Sequence, residues 1–120
     1  MTTIKRETLA NGLEISFADE SNRYFGDYHR ICVVATIVCR IEALDNEELR
    51  DQASVVYGEK LAVEKRFERM GVPSAEVDKV RNALIADFMQ HAAAYLSRPD
   101  YPGLLVAAEL KKRRGTRFYG

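Results

Sequence analysis

The side chains most able to do chemistry in this chain are two cysteines and two histidines: Cys32, Cys39, His29 and His91. Nucleophilic catalysis needs a thiol or hydroxyl beside a base that a third group holds in place. His29 and Cys32 are close in sequence, but three steps along a strand send side chains to opposite faces. Cys32 and Cys39 also point to opposite faces and stand roughly 23 Å apart at about 3.3 Å per residue, so they do not pair. Two buried free thiols fit a reducing compartment. His91 lies in a different predicted element and joins these groups only if the fold brings it there.

Metal and cofactor chemistry has less to draw on. Asp27 and His29 share one side of a predicted strand, yet structural zinc takes four ligands at recognisable spacings, and no such spacing occurs. The seven glycines are scattered and form no phosphate-cradling loop. The pair Glu47-Glu48 is explained by its place at a helix N-terminus, where the dipole favours acid. No catalytic residue, metal or cofactor is assigned, and an enzyme of unknown class is the third-ranked function.

Two clusters could bind rather than react. Arg23, Tyr24, Phe25, Tyr28 and His29 crowd one predicted loop, and aromatic rings beside basic groups can stack bases or hold anions. The competing reading is that such rings pin a loop to the core and leave their hydroxyls wet. The second cluster is Lys111, Lys112, Arg113, Arg114 and Arg117, five cations with no acid among the last ten residues. They could neutralise phosphates of a nucleic acid or another polyanion, sequence-blind and salt-sensitive. They also suit a helix C-terminus or a solvated end that offsets an acidic body. The short apolar run before them, Leu104 to Leu110, is a poor membrane anchor. All eighteen acids precede the cluster, against thirteen Lys and Arg, so the body bears −5 and the end +5.

The elements that must position these groups are organised around Ile31 to Cys39, ICVVATIVC, an uncharged stretch closed by Arg30 and Arg40. It is too short to cross a bilayer and rich in strand-forming residues. Its odd positions, Ile31 to Cys39, form a wholly apolar core face. On its even side, Cys32, Val34, Thr36 and Val38 make a narrow apolar strip among charged neighbours. That strip is a candidate partner surface.

Ahead of it, Asn11-Gly12 predicts a two-residue hairpin turn pairing Thr8 with Ile15 and Arg6 with Phe17. In that register Ile4 shares the core face with Leu13, Ile15 and Phe17, while Lys5 and Glu7 face water. After it, Asp45 as cap with Glu48 three residues on predicts a helix over 45–57, stopped by Gly58. Residues 60–70 fit either a helix or a strand; like charges at helical spacing favour a fourth strand. Ser74 then caps a long helix over about 75–96, with Val77, Val80, Leu84, Phe88, Ala92 and Tyr95 as its stripe. After a Pro- and Gly-containing break, a short helix runs from Leu104 to about Arg114.

These elements predict an α+β fold: a small two-layer domain with an antiparallel sheet covered on one face by a long C-terminal helix and a short one. One domain is expected over 1–110, with 111–120 a basic, flexible tail. At 120 residues, with 47% hydrophobic and 30% charged, the chain can bury a core without staples. The polar N-terminus and the lack of a transmembrane stretch make a cytoplasmic protein the expectation. The function expected first is a non-enzymatic binding or structural module acting through a protein partner or a second copy. Nucleic-acid or other polyanion binding through the basic end is the alternative.

Overall fold

The uncharged stretch is the spine of the sheet. The computed structural model describes residues 2–119, and side chains over residues 3–113. Five strands, β1 (Thr2–Thr8), β2 (Glu14–Asp19), β3 (Asn22–Phe25), β4 (Tyr28–Arg40) and β5 (Lys60–Pro73), form one antiparallel sheet. β4 pairs with β5 along one side; on the other it pairs with β2 over Val33–Val38 and with β3 over Tyr28–Arg30. β2 and β3 are thus two halves of one strand broken at Glu20-Ser21. The break is closed locally: Glu20 N–H donates to the Cys32 carbonyl (2.9 Å), and Cys32 N–H donates to the Ser21 hydroxyl (2.9 Å). Ser21 replaces a ladder carbonyl, which satisfies a buried donor that would otherwise be orphaned.

Helices α1 (Glu47–Tyr57), α2 (Val77–Leu96) and α3 (Tyr101–Tyr119) pack against the sheet, giving the expected α+β domain with an antiparallel sheet. The core is the odd side of β4, from Ile31 to Cys39, together with Leu13, Ile15 and Phe17 of β2. α2 lays Ile85, Phe88, Ala92 and Leu96 onto it. Phe88 sets its ring edge-on to Phe17 (5.8 Å) and tilted against Phe67 of β5 (5.2 Å), tying three elements at one point. α3 adds Leu105, Val106 and Leu110.

Several local details differ from the sequence expectation. Segment 60–70 is strand, as favoured, and it runs on to Pro73. The cap of α1 is Asn46, not Asp45: its side-chain oxygen accepts from Leu49 N–H at 2.9 Å. Ser74 opens a short 3-10 turn, Ser74–Glu76, rather than capping α2. α3 starts at Tyr101 and continues through the segment separated beforehand as a tail.

The largest correction is the first hairpin. Thr8 faces Glu14, Glu7 faces Ile15 and Lys5 faces Phe17, one residue out of the expected register. Asn11 does not take positive φ; Gly12 alone does, at 89°. Gly12 N–H bonds the Leu9 carbonyl and Leu9 N–H bonds the Leu13 carbonyl, the turn-plus-bulge form of a three-residue loop. The reason is tertiary. Asn11 turns its amide onto the end of α2, donating to the carbonyls of Leu96 (2.5 Å) and Arg98 (2.8 Å), while its oxygen accepts from Leu13 N–H. A one-residue slip reverses a strand's faces, so Lys5 and Glu7 lie on the helix side, and Ile4, at a bulge, is 40% exposed.

Candidate functional site

The residues singled out for chemistry are kept apart. His29 Nε2 shares a hydrogen bond with the Ser74 hydroxyl (2.9 Å), at the end of the sheet beyond α2. His91 sits on α2 with Nδ1 against the carbonyl of Asp87 (2.7 Å). The Cys39 thiol is buried in the core, and burial pushes its pKa up, which disfavours the thiolate. Cys32 is buried on the opposite face. Among the described residues, no three His, Cys, Asp or Glu side chains gather where a metal could sit.

The aromatic loop is the β3–β4 hairpin, with Gly26 (φ 53°) in its turn. Tyr24, Phe25 and Tyr28 all show large exposed surface, Phe25 the most at 73%. Arg23 pairs across the ladder with His29. Ser74 also fixes the turn: its N–H donates to the Asp27 carbonyl (3.1 Å), and its bond to the Asp27 carboxyl lowers that group's pKa. These rings stand out from the fold instead of pinning the loop to the core.

The strip on the even side of β4 has a roof. Cys32 and Val34 are fully buried, while Thr36 and Val38 are half-buried. Arg66 of β5 reaches across to Glu20 (2.9 Å), and Arg30 pairs with Glu68. The thiol of Cys32 lies beneath these side chains, 3.8 Å from the Arg66 guanidinium and 4.0 Å from Glu68. Half-exposed ion pairs contribute at most about 1 kcal/mol each; the aliphatic stems do the covering. Sequence patterning could not anticipate this, because the reach of Arg66 over its neighbours depends on which strands flank β4.

Of the basic cluster, Lys111, Lys112 and Arg113 are exposed on α3. Lys112 pairs with Glu109 (3.2 Å), and Arg113 lies over the ring of Tyr57 at 5.6 Å. The side chains of Arg114 and Arg117 lie outside the described ones.

A surface absent from the sequence reading comes from β5. The register puts Leu61, Val63, Lys65, Phe67 and Arg69 on the helix side and Ala62, Glu64, Arg66 and Glu68 on the other. Ile41 N–H donates to the Glu59 carbonyl, in line with the same ladder. That bond fixes its phase: odd residues of β5 turn their N–H and C=O toward β4, and even residues turn theirs outward. Ala62, Glu64, Arg66 and Glu68 therefore present outward-facing peptide groups, and no strand among the described residues pairs with that edge.

α2 and α3 leave this edge open on the helix side as well. One cavity of about 370 Å³ runs between β5 and α3, lined by Ile37, Val63, Lys65, Tyr95 and Leu104 among others. A second, of about 360 Å³, continues along α2 past Phe67, Leu84 and His91, and Tyr95 belongs to both. Tyr95 (44%) and Leu104 (58%) are large apolar side chains left exposed here. Tyr101, 5.5 Å from Tyr95, has its phenol pKa raised by burial and by the neighbouring Tyr95 and Glu109. The groove is apolar at its floor, with Lys65, Asp100 and Glu109 at its margin.

On the far side of β2 the edge strand β1 is guarded. β1 is half as long, is bulged at Ile4, and points Lys5 and Glu7 toward the helix side. Bulges and inward charges are devices that discourage strand addition. β5 has no bulge over Lys60–Glu68, and Lys65 is the one charge it turns to the helix side there. Compared with family models, with curated proteins and with solved structures, the chain matches none.

Proposed function

We propose that this protein is an interaction module that docks a protein partner along the outer edge of β5. The observation that supports the reading is the juxtaposition on one strand of outward-facing peptide groups at Ala62, Glu64, Arg66 and Glu68 with an apolar groove beside it. In strand addition, main-chain hydrogen bonds give affinity and pockets for alternate side chains give specificity. β5 offers both parts. The basic residues of α3 support the polyanion alternative less, because Arg113 and Lys112 are turned to Tyr57 and Glu109.

A photo-cross-linking residue in place of Ala62 tests this in cells that make the protein. Discrete protein adducts are expected from position 62 and not from Val55, which is 88% exposed on α1. Glu64→Pro, which removes an outward N–H, should abolish the adducts. If position 62 yields no more than position 55, the edge is not a docking site.

A further inference from the structure

We infer that the partner at this edge is a second copy of the same chain, paired β5 to β5 about a two-fold axis that passes between the two Lys65 residues. The inference rests on the edge reading above and names its occupant from the charge pattern of the strand.

Antiparallel self-pairing can only set residue i against a residue of the second copy on the same face, which leaves few registers near the strand's centre. Centring on Arg66 puts Arg66 on Arg66 and Glu64 on Glu68 twice, all like charges, and is repulsive. Centring on Phe67 sets Arg66 against Glu68 twice, though these already hold Glu20 and Arg30, and sets Lys65 against Arg69 twice, a like pair. Centring on Lys65 sets Glu64 against Arg66 of the second copy twice, and Val63 against Phe67 twice. The only like pair is Lys65 with itself. Lys65 lines the same cavity as Asp100 and Glu109, so acid is at hand there.

The ladder phase agrees with this register. Glu64 and Arg66 are the residues whose peptide groups face outward, so their pairing would be a hydrogen-bonded one, while Lys65 would sit at a non-bonded position on the axis. Glu64 has no ion-pair partner among the described residues, whereas Arg66 already holds Glu20 at 2.9 Å. Pairing would complete an alternating row, Glu20–Arg66–Glu64, across the joint. On the helix side the half-buried Val63 and Phe67 of each copy would close against one another, and the exposed Tyr95 and Leu104 would border the seam.

The test combines mass with site-specific cross-linking. The purified full chain should sediment at twice 13.6 kDa. Glu64→Arg, which sets a second guanidinium against that of Arg66, should raise the dimer dissociation constant at least tenfold while leaving the circular dichroism unchanged. Under mild oxidation Lys65→Cys should form a disulfide dimer, because side chains at a non-bonded position on the axis are neighbours. Phe67→Cys should not, since its two copies would be about 13 Å apart along the strands. A Phe67→Cys link without a Lys65→Cys link overturns this register. A chain that stays monomeric and unlinked overturns the homodimer. In that case adducts at position 62 with some other protein would leave the edge reading standing, and their absence would end both.

Discussion

Asp19 shows how a single side chain joins the two layers. It ends β2, and its carboxylate accepts from Ser21 N–H (2.8 Å) and from Arg81 of α2 (3.2 Å), which also holds Asp78. Burial by itself would raise its pKa, but the Ser21 and Arg81 interactions outweigh burial and hold it below the ordinary value of 3.8. A carboxyl depressed in the folded state stabilises the fold above its unfolded pKa, and that contribution disappears as pH falls through the folded value. Asp19→Asn should therefore cost on the order of 1 kcal/mol at pH 7, the scale of a lost charge-assisted hydrogen bond. Urea midpoints of the two proteins should differ clearly at pH 7 and converge near pH 2. A gap that persists undiminished in acid would mean that the carboxylate's charge is not what holds α2 to β2.

At the scale of elements, the ladder phase of β5 makes adjacent residues respond oppositely to proline. Lys65 N–H is directed at Ala35, which is fully buried. Lys65→Pro would strand that carbonyl, a loss of about 1–3 kcal/mol. Glu64→Pro removes a donor that faces away from β4, which an edge strand tolerates. Thermal melts should show a much larger fall for Lys65→Pro; equal falls would refute the assigned phase. How much of this was legible beforehand depends on the range of the forces involved. The alternation of Ile31 to Cys39 and the helix over about 75–96 rest on local periodicity and were readable, while 60–70 fitted a helix as well as the strand that its like charges favoured. The register of the first hairpin was not. It is decided by Asn11 bonding to Leu96 and Arg98, far along the chain. The roof over Cys32 and Val34 and the bare edge of β5 depend on strand order, which periodicity does not encode. The aromatic hairpin was legible as a cluster, while the exposure of its rings was not.

The molecule as a whole is long and thin, with extents of 53 × 37 × 21 Å and a radius of gyration of 17.0 Å. A compact domain of this length has about 14 Å. The β3–β4 hairpin lies at one end, with Tyr24, Phe25 and Tyr28 exposed. At the other end α3 contributes Leu105, Val106 and Leu110 to the core, and beyond Leu110 its described side chains lie on the surface. Cutting the chain after Leu110 should therefore lower Tm by only a few degrees, since the Lys112 and Arg113 contacts are each worth about 1 kcal/mol or less. Cutting after Arg98 removes three buried side chains and should abolish the cooperative melt; a cooperative transition after that cut would show that α3 is dispensable to the core. One asymmetry of the sheet reaches further than the single chain. With the β1 edge blunted, association through β5 alone would make each molecule monofunctional in the polymer chemist's sense. Strand-to-strand association through that one edge terminates at a pair, so raising the concentration fills pairs and does not grow a fibre.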